Sequence, residues 1–300
     1  MLDRYHIGRH TRQSPEADVP LIEQLSIDDR LGGAGNVACN LKSLELNPIL
    51  LSVIGDDAEG RVIEDLCKEK FETYHLITLK DRPSTLKSRI VDQDFKQYLR
   101  LDREVTADID PQDQEIIAHK ISKVISQHTF DAIVIQDYNK GMLTSRIISL
   151  IQKTSRDMGI SLIVDPKKKH FSLLSNCTVF KPNLKELSQA AGYRIAPNVD
   201  DITLTIKELG LDKAQVIMVT MAEHGIFYLD QKTGKKGIVP GHKIEEPDVS
   251  GAGDTVLSTL VKTLIDGIPI ERMAEIANLA GAIVCKKRGI EVVNQNELNT

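Results

Sequence analysis

The chain has 300 residues, 41% hydrophobic and 27% charged, enough for one large domain or two modest ones around a packed core. Its formal net charge of −5 offers no bulk attraction to nucleic acid or to an anionic membrane. Cys39, Cys67, Cys177 and Cys285 are scattered without a C-x-x-C pair and the histidines show no metal spacing, which argues against a disulfide framework or a zinc site. Isolated cysteines suit a reducing compartment, no apolar run approaches the ~18 residues of a membrane span, and no segment reads as a signal peptide. A cytoplasmic protein without membrane or nucleic-acid partners is expected.

In chain order, the first 35 residues read as polar and irregular, with one short strand near Val19 to Leu25. The glycine cluster Leu31 to Asn40 runs into an apolar-periodic segment. Ile49 to Gly55 has a buried-strand pattern and Gly60 to Lys70 a helical one. Two alternating runs around Asp92-Gln93-Asp94 predict a β-hairpin. From Pro111 onward, helical stretches (Gln112 to Ser126, Thr144 to Met158, Leu184 to Ala191, about Thr203 to Gly210) alternate with wholly apolar strands. Such strands indicate a parallel sheet covered on both faces. A short antiparallel addition follows, and the helices Ala252 to Ile265 and Glu271 to Lys286 close the chain.

Four strands end in polar residues: Gln136-Asp137-Tyr138, Asp165-Pro166-Lys167, Lys181-Pro182-Asn183 and Thr220. Ligands bind beyond the carboxyl ends of strands in open parallel sheets, so these ends predict one shared site.

Asp248-Val-Ser-Gly-Ala-Gly-Asp254-Thr255 precedes an amphipathic helix. Gly251, Ala252 and Gly253 bring backbone N–H groups to a helix N-terminus, a cradle for a transferring phosphoryl group. Asp254 lies in the same first turn, within reach of a substrate hydroxyl. The helix end is expected to keep it ionised and weakly basic, which suffices for a loose phosphoryl-transfer transition state. A plain glycine turn would also explain the motif.

Gly32-Gly33-Ala34-Gly35-Asn36 does not meet the G-x-G-x-x-G dinucleotide pattern. A backbone lying against a sugar, with the Asn36 amide on its hydroxyls, or a helix-capping turn, accounts for it. Asn183 and Glu186, three apart at a helix start, could orient waters around Mg²⁺ or form a capping box. Asp137 to Gly141, with Asp137 and Lys140, could grip a sugar phosphate or be a solvated turn. Lys87, Arg89 and Arg100 could meet a second phosphate, or form the solvated face of an edge hairpin. Lys167-Lys168-Lys169-His170 reads as a solvated loop near the site.

Taken together, these motifs resemble the ribokinase-like (PfkB) carbohydrate kinases. The matching residues are Gly32-Gly33 with Asn36, Asn183 to Glu186, Val219-Thr220 with Gly225, Gly251 to Asp254 and Ala277 to Gly281, in the family's order. Within the family, Met1 to Tyr5, Ser14 to Pro20, Thr85 to Arg89, Leu99 to Asp102 and Asp137 to Gly141 are similar to the kinase portion of bifunctional heptose kinase/adenylyltransferases.

The resemblance implies a three-layer α/β/α sandwich with a mostly parallel sheet. A small β lid would come from about residues 20–30 and 86–102, and could pair two subunits into a homodimer. The implied reaction uses ATP and Mg²⁺ to phosphorylate the anomeric hydroxyl of D-glycero-β-D-manno-heptose 7-phosphate, toward ADP-heptose and lipopolysaccharide. Another sugar or sugar phosphate, or a silent binding paralogue, are the alternatives. Asp254 would be the base, with Gly251, Ala252 and Gly253 as anion hole. Asn183, Leu184, Lys185, Glu186, Thr220, Gly225 and Asn278 would serve ATP, with Asn183 and Glu186 acting on magnesium through water. Asp3, Gly32, Gly33, Asn36, Asp137, Lys140, Lys87, Arg89 and Arg100 would serve the sugar phosphate.

Two departures accompany the resemblance. No H-x-G-H-type adenylyltransferase segment follows, so only the kinase step is expected. The family's first buried strand precedes the Met-Leu-Asp segment, so an upstream start or a truncated chain, with an apolar slot in the sheet, is expected.

Overall fold

The computed structural model describes residues 1–298. The chain opens with two long strands, β1 (Leu2–Gln13) and β2 (Pro20–Leu31), then α1 (Ala34–Ser43), β3 (Leu50–Gly55), α2 (Ala58–Lys70) and β4 (Tyr74–Leu79). The hairpin β5 (Leu86–Asp92) and β6 (Gln97–Arg103) follows. The alternating half comprises α3 (Pro111–Gln127), β7 (Ala132–Gln136), α4 (Ser145–Met158), β8 (Ser161–Asp165), α5 (Phe171–Leu174), β9 (Val179–Phe180), α6 (Leu184–Ala191), α7 (Val199–Glu208) and β10 (Val216–Thr220). The chain closes with β11 (Ile226–Asp230), β12 (Lys236–Val239), α8 (Ala252–Ile265), α9 (Ile270–Val284) and α10 (Gln295–Leu298).

Local chemistry sets the helix boundaries. Asp110 caps α3 through the N–H groups of Gln112 and Asp113, with Pro111 in the first turn. Thr144 caps α4, which ends at Gly159 in the left-handed conformation.

The central sheet runs β12-β11-β10-β9-β8-β7, with β7 to β10 parallel. Period-two alternation sends successive side chains to opposite faces, and both are covered. Leu162 and Val164 pack with Ile117, Ile147 and Ile202 on one side. Ile163, between them, packs with Leu257, Leu260 and Ala277 on the other. This is the expected three-layer sandwich. Beyond β7, the parallel pair β3-β4 stands as a separate two-stranded sheet. An apolar cavity of about 830 Å³ lies between β3 and β7, lined by Leu51, Val53, Ile133, Ile135, Val37 and Val261 among others.

The lid is a four-stranded sheet ordered β2-β1-β5-β6. β1, which the sequence reading left irregular, is an interior strand, antiparallel to β2 and parallel to β5. Its apolar periodicity is weak because its inward positions include the buried aspartate Asp3. β5 is flanked on both sides, so Lys87 and Arg89 are not on the solvated face of an edge hairpin: they are buried, facing inward with Val91. Among the described residues no helix is long and apolar enough to cross a membrane.

Candidate active site

Asp254 is the third residue of α8, in its first turn, behind Gly251 in the left-handed conformation (φ 76°). A side chain at Gly251 would fall 2.7 Å from Asn36 Nδ2, so the close approach of this loop to α1 requires glycine. The Asp254 carboxylate is 2% exposed and accepts three side-chain hydrogen bonds. Asn36 Nδ2 donates to Oδ2 at 2.8 Å, while Gln136 Nε2 at 2.8 Å and Tyr138 Oη at 3.0 Å donate to Oδ1. Burial pushes its pKa up to about 7, and the nearby Asp165 adds to the rise; the bonds from Asn36 and Tyr138 and the charge of Lys181 oppose it. The expectation that the helix end keeps Asp254 ionised is therefore corrected: burial favours its neutral form.

Behind Asp254, the C-terminal ends of three adjacent strands converge. Asp165 closes β8 and pairs with Lys181 Nζ at 2.9 Å, just past β9, and both are buried. Gln136, its register partner on β7, donates to Asp165 Oδ2 at 3.2 Å as well as to Asp254. Asp165 also approaches the cradle: a side chain at Gly253 would lie 4.0 Å from its Oδ2.

The glycine turn at Gly32-Gly33 lies against this centre. Gly33 is left-handed (φ 57°), and a side chain there would press on the Tyr138 ring, while one at Gly32 would overlap Asp3. Asn36 is buried, giving an amide hydrogen to Asp254 and accepting from Asn40 with its carbonyl. It therefore holds the Asp254 carboxylate, where the sequence reading gave its amide to sugar hydroxyls. Asp3 pairs with Arg89, whose guanidinium also lies 5.2 Å from the Tyr5 ring centroid.

The hairpin cations are already neutralised. Lys87 meets Asp102 at 3.0 Å and Glu104 at 3.4 Å, and Arg100 holds Asp102 at 2.6 Å. The hydrogen bond from Arg100, reinforced by Lys87, keeps Asp102 well below the usual carboxylate range. Asp137 accepts from the N–H groups of Asn139 and Lys167 and meets His170 Nδ1 at 2.8 Å. It anchors two loops, and Lys140 is paired with Glu104 at 2.8 Å. The sugar-phosphate grip expected of Asp137 and Lys140 is thus replaced by a structural one. The Lys167 run is solvated only in part: Lys168 and Lys169 are exposed, whereas Lys167 pairs with Glu186 and His170 is buried.

Asn183 and Glu186 form a full capping box at α6: Glu186 N donates to Asn183 Oδ1 at 2.8 Å and Asn183 N to Glu186 Oε2 at 2.9 Å. Burial draws the Lys167 ammonium down, but Asp165 and Glu186 outweigh it and raise its pKa. Thr220 N donates to Pro182 O and bridges to Asn183; Asn278 Nδ2 donates to Pro240 O. Gly225 is left-handed (φ 89°) against the Val239 carbonyl. Leu184 packs on the core and Lys185 is exposed. No cluster of three or more histidine, cysteine, aspartate or glutamate side chains that could cage a metal occurs among the described residues.

A second, smaller pocket of about 220 Å³ adjoins the cradle between Ser250 and the hairpin tip at Phe95. Arg89 and Arg288 bring cations to it. Asp248 on its wall is occupied by the N–H groups of Ser250 and Gly289. Sequence reading missed Arg288, Gln136, Tyr138, Asp165, Lys167 and Lys181 as site residues. The strand-end rule had marked the last five, but nothing in the local sequence assigned them partners.

A buried carboxylate beside a glycine-lined helix start, at the carboxyl edge of a parallel sheet under a β lid, defines a small-molecule kinase of the α/β sandwich type. Residues 5–296 match the pfkB family carbohydrate kinase model, and the chain belongs to that family. Kinases of this family use ATP with Mg²⁺. The chain is 38% identical over 291 residues to the bifunctional protein HldE of Campylobacter fetus, covering 96% of this chain and 62% of that protein. Against HldE of Hyphomonas neptunium it is 36% identical, covering 99% of this chain and 61% of the relative. The chain thus spans about three-fifths of the curated relatives it matches. Among solved structures, Escherichia coli phosphofructokinase-2 in complex with substrates and products superposes with a TM-score of 0.80 at 20% identity, over 99% of this chain and 94% of that one, which shows the shared fold.

Proposed function

We propose that this domain transfers the terminal phosphoryl group of ATP to the anomeric hydroxyl of D-glycero-β-D-manno-heptose 7-phosphate, giving the 1,7-bisphosphate on the route to ADP-heptose and lipopolysaccharide. The observation that carries the reading is the placement of Asp254: buried, near neutrality in pKa, and in the same turn as the N–H groups at Gly251 to Gly253. A base poised near the working pH accepts the hydroxyl proton, while the helix start stabilises charge on the moving phosphoryl group. The similarity to HldE proteins over nearly the whole chain favours the heptose among sugar acceptors.

The residue types near α6 fit a magnesium ion that arrives with the nucleotide and keeps most of its waters. Asn183 and Glu186 would hold those waters, and the bound ion would neutralise phosphate charge. Thr220, Gly225 and Asn278 would flank the adenosine side. The acceptor's remote phosphate would lie in the small pocket against Arg288, because Lys87 and Arg100 are satisfied by Asp102 and Glu104 and Arg89, on the same wall, is paired with Asp3. Asp3, Gly32 and Gly33 would line the sugar.

A second copy of the chain is the partner proposed for the lid. Ile27, Ile90, Leu99 and Leu101 share its outer face, and Leu101 is 69% exposed.

Phosphorus NMR with Mg-ATP and single acceptors (heptose 7-phosphate, fructose 6-phosphate, sedoheptulose 7-phosphate, ribose) tests the reaction. A new anomeric phosphate signal with the heptose alone is expected. Turnover of another acceptor would replace the heptose, and turnover of none by a folded sample would reject kinase activity.

A further inference from the structure

The Asp254 carboxylate is held asymmetrically. Oδ1 accepts from both Gln136 and Tyr138, which fills its two acceptor positions, whereas Oδ2 accepts from Asn36 alone. Gln136 makes this arrangement at a cost. Its amide nitrogen serves two carboxylates, Asp254 and Asp165, and its carbonyl oxygen is buried without a hydrogen-bond donor. Turning the amide over would aim that oxygen at both carboxylates, so the two acids fix its orientation. An orphaned buried carbonyl is tolerated where something else requires the geometry. Asp165 is itself anchored by the buried Lys181, so the amide rests on a rigid ion pair at the ends of β8 and β9.

We infer that Gln136 is a positioning residue for phosphoryl transfer: its amide separates Asp254 from Asp165, occupies Oδ1, and leaves the open lone pair of Oδ2 as the proton acceptor. The inference rests on the kinase reading above. As the acceptor oxygen forms its bond to phosphorus and the phosphorus–oxygen bond to ADP breaks, the hydroxyl proton passes to Oδ2. Tyr138 assists at Oδ1, and its ring is held between Gly33 and the Lys167 ammonium, 5.5 Å from the ring centroid. The charged and titratable groups around Asp254 are Asp165 and Lys181 from the strand ends, Tyr138 with Lys167 from the loops, and Asp3 from the lid.

The test is a carboxyl-carbon NMR titration of the full chain labelled at aspartate Cγ, with the Asp254 resonance identified by its loss in Asp254→Asn. In Gln136→Ala the midpoint of Asp254 is expected to rise by about one pH unit, since a hydrogen bond to its charged form is lost. The acidic limb of kcat/KM for whichever sugar phosphate is turned over should move with it, while KM for ATP stays unchanged. Gln136→Glu, of equal size, places a third carboxylate there and should raise the midpoint further; it also carries the test if the alanine variant does not fold. An unmoved midpoint in a folded variant, or a lower kcat with no shift of the limb, would overturn the inference. The titration needs no acceptor, so it reads out even if the kinase reading fails.

Discussion

Asn36 and Asp254, 218 residues apart, meet through a buried 2.8 Å hydrogen bond that ties α1 to the first turn of α8. Through this bond the glycine turn and the cradle become one site. The amide donates to the acid, favouring its ionised form against burial. Asn36→Ala should therefore move the acidic limb of kcat/KM upward, above pH 7, and cut kcat by roughly 10- to 100-fold, in line with the loss of one hydrogen bond to a charged group. A pH–rate profile of the purified variant checks this.

Asp254→Asn removes the base and leaves the cradle. Turnover should fall by about 10²- to 10⁴-fold, the usual contribution of general base catalysis, while ATP binding measured by calorimetry persists. The variant also carries a stability signature. Because the folded-state pKa of Asp254 is raised from 3.8 to about 7, the native state binds this proton more tightly than the unfolded chain. That contribution is fully present below pH 3.8 and is lost as pH rises toward 7. Urea melts at pH 4.5 and pH 8 should accordingly show the variant gaining on the wild type as pH increases.

Arg288 has no ion-pair partner among the described residues, unlike Lys87 and Arg100. Arg288→Ala should raise KM for the phosphorylated acceptor by about tenfold or more, with kcat and KM for ATP little changed. Lys87→Ala should instead loosen the lid, because it removes the cation that bridges Asp102 and Glu104 and leaves each with one partner, Arg100 and Lys140. Steady-state kinetics separates the two, and equal effects from both would move the phosphate site back to the hairpin.

The outer face of the lid sheet predicts self-association. Leu99→Lys combined with Leu101→Lys should convert a dimer to a monomer in light-scattering chromatography, since both residues are more than half exposed in the single chain. A wild-type monomer at all accessible concentrations would remove the lid from consideration as an interface.

Much of the architecture was legible along the chain. Apolar runs such as 161–165 and 216–220 declare strands buried on both faces, and Asp110, Thr144 and Gly159 mark helix ends through local hydrogen bonds. The Gly251 to Asp254 turn is equally local: a left-handed glycine leads straight into a helix start with an acid in its first turn. β1 escaped notice because its identity as a strand depends on β2 and β5 beside it, and its inward face carries Asp3 rather than an unbroken apolar stripe.

What the sequence by itself determined was most of the elements and the acid at the helix start, because these follow from short-range periodicity and spacing, while the family came from the resemblance of its motifs in their order. Which charges are free and which are spent was decided only by the tertiary structure. Lys87, Lys140 and Arg100 read as ligand-binding cations until Asp102 and Glu104 are brought against them. Gln136 reads as a strand end until β8 and α8 place two carboxylates at its amide. Electrostatic energies and pKa values depend on distance and burial in space, and neither is encoded at any single position in the chain.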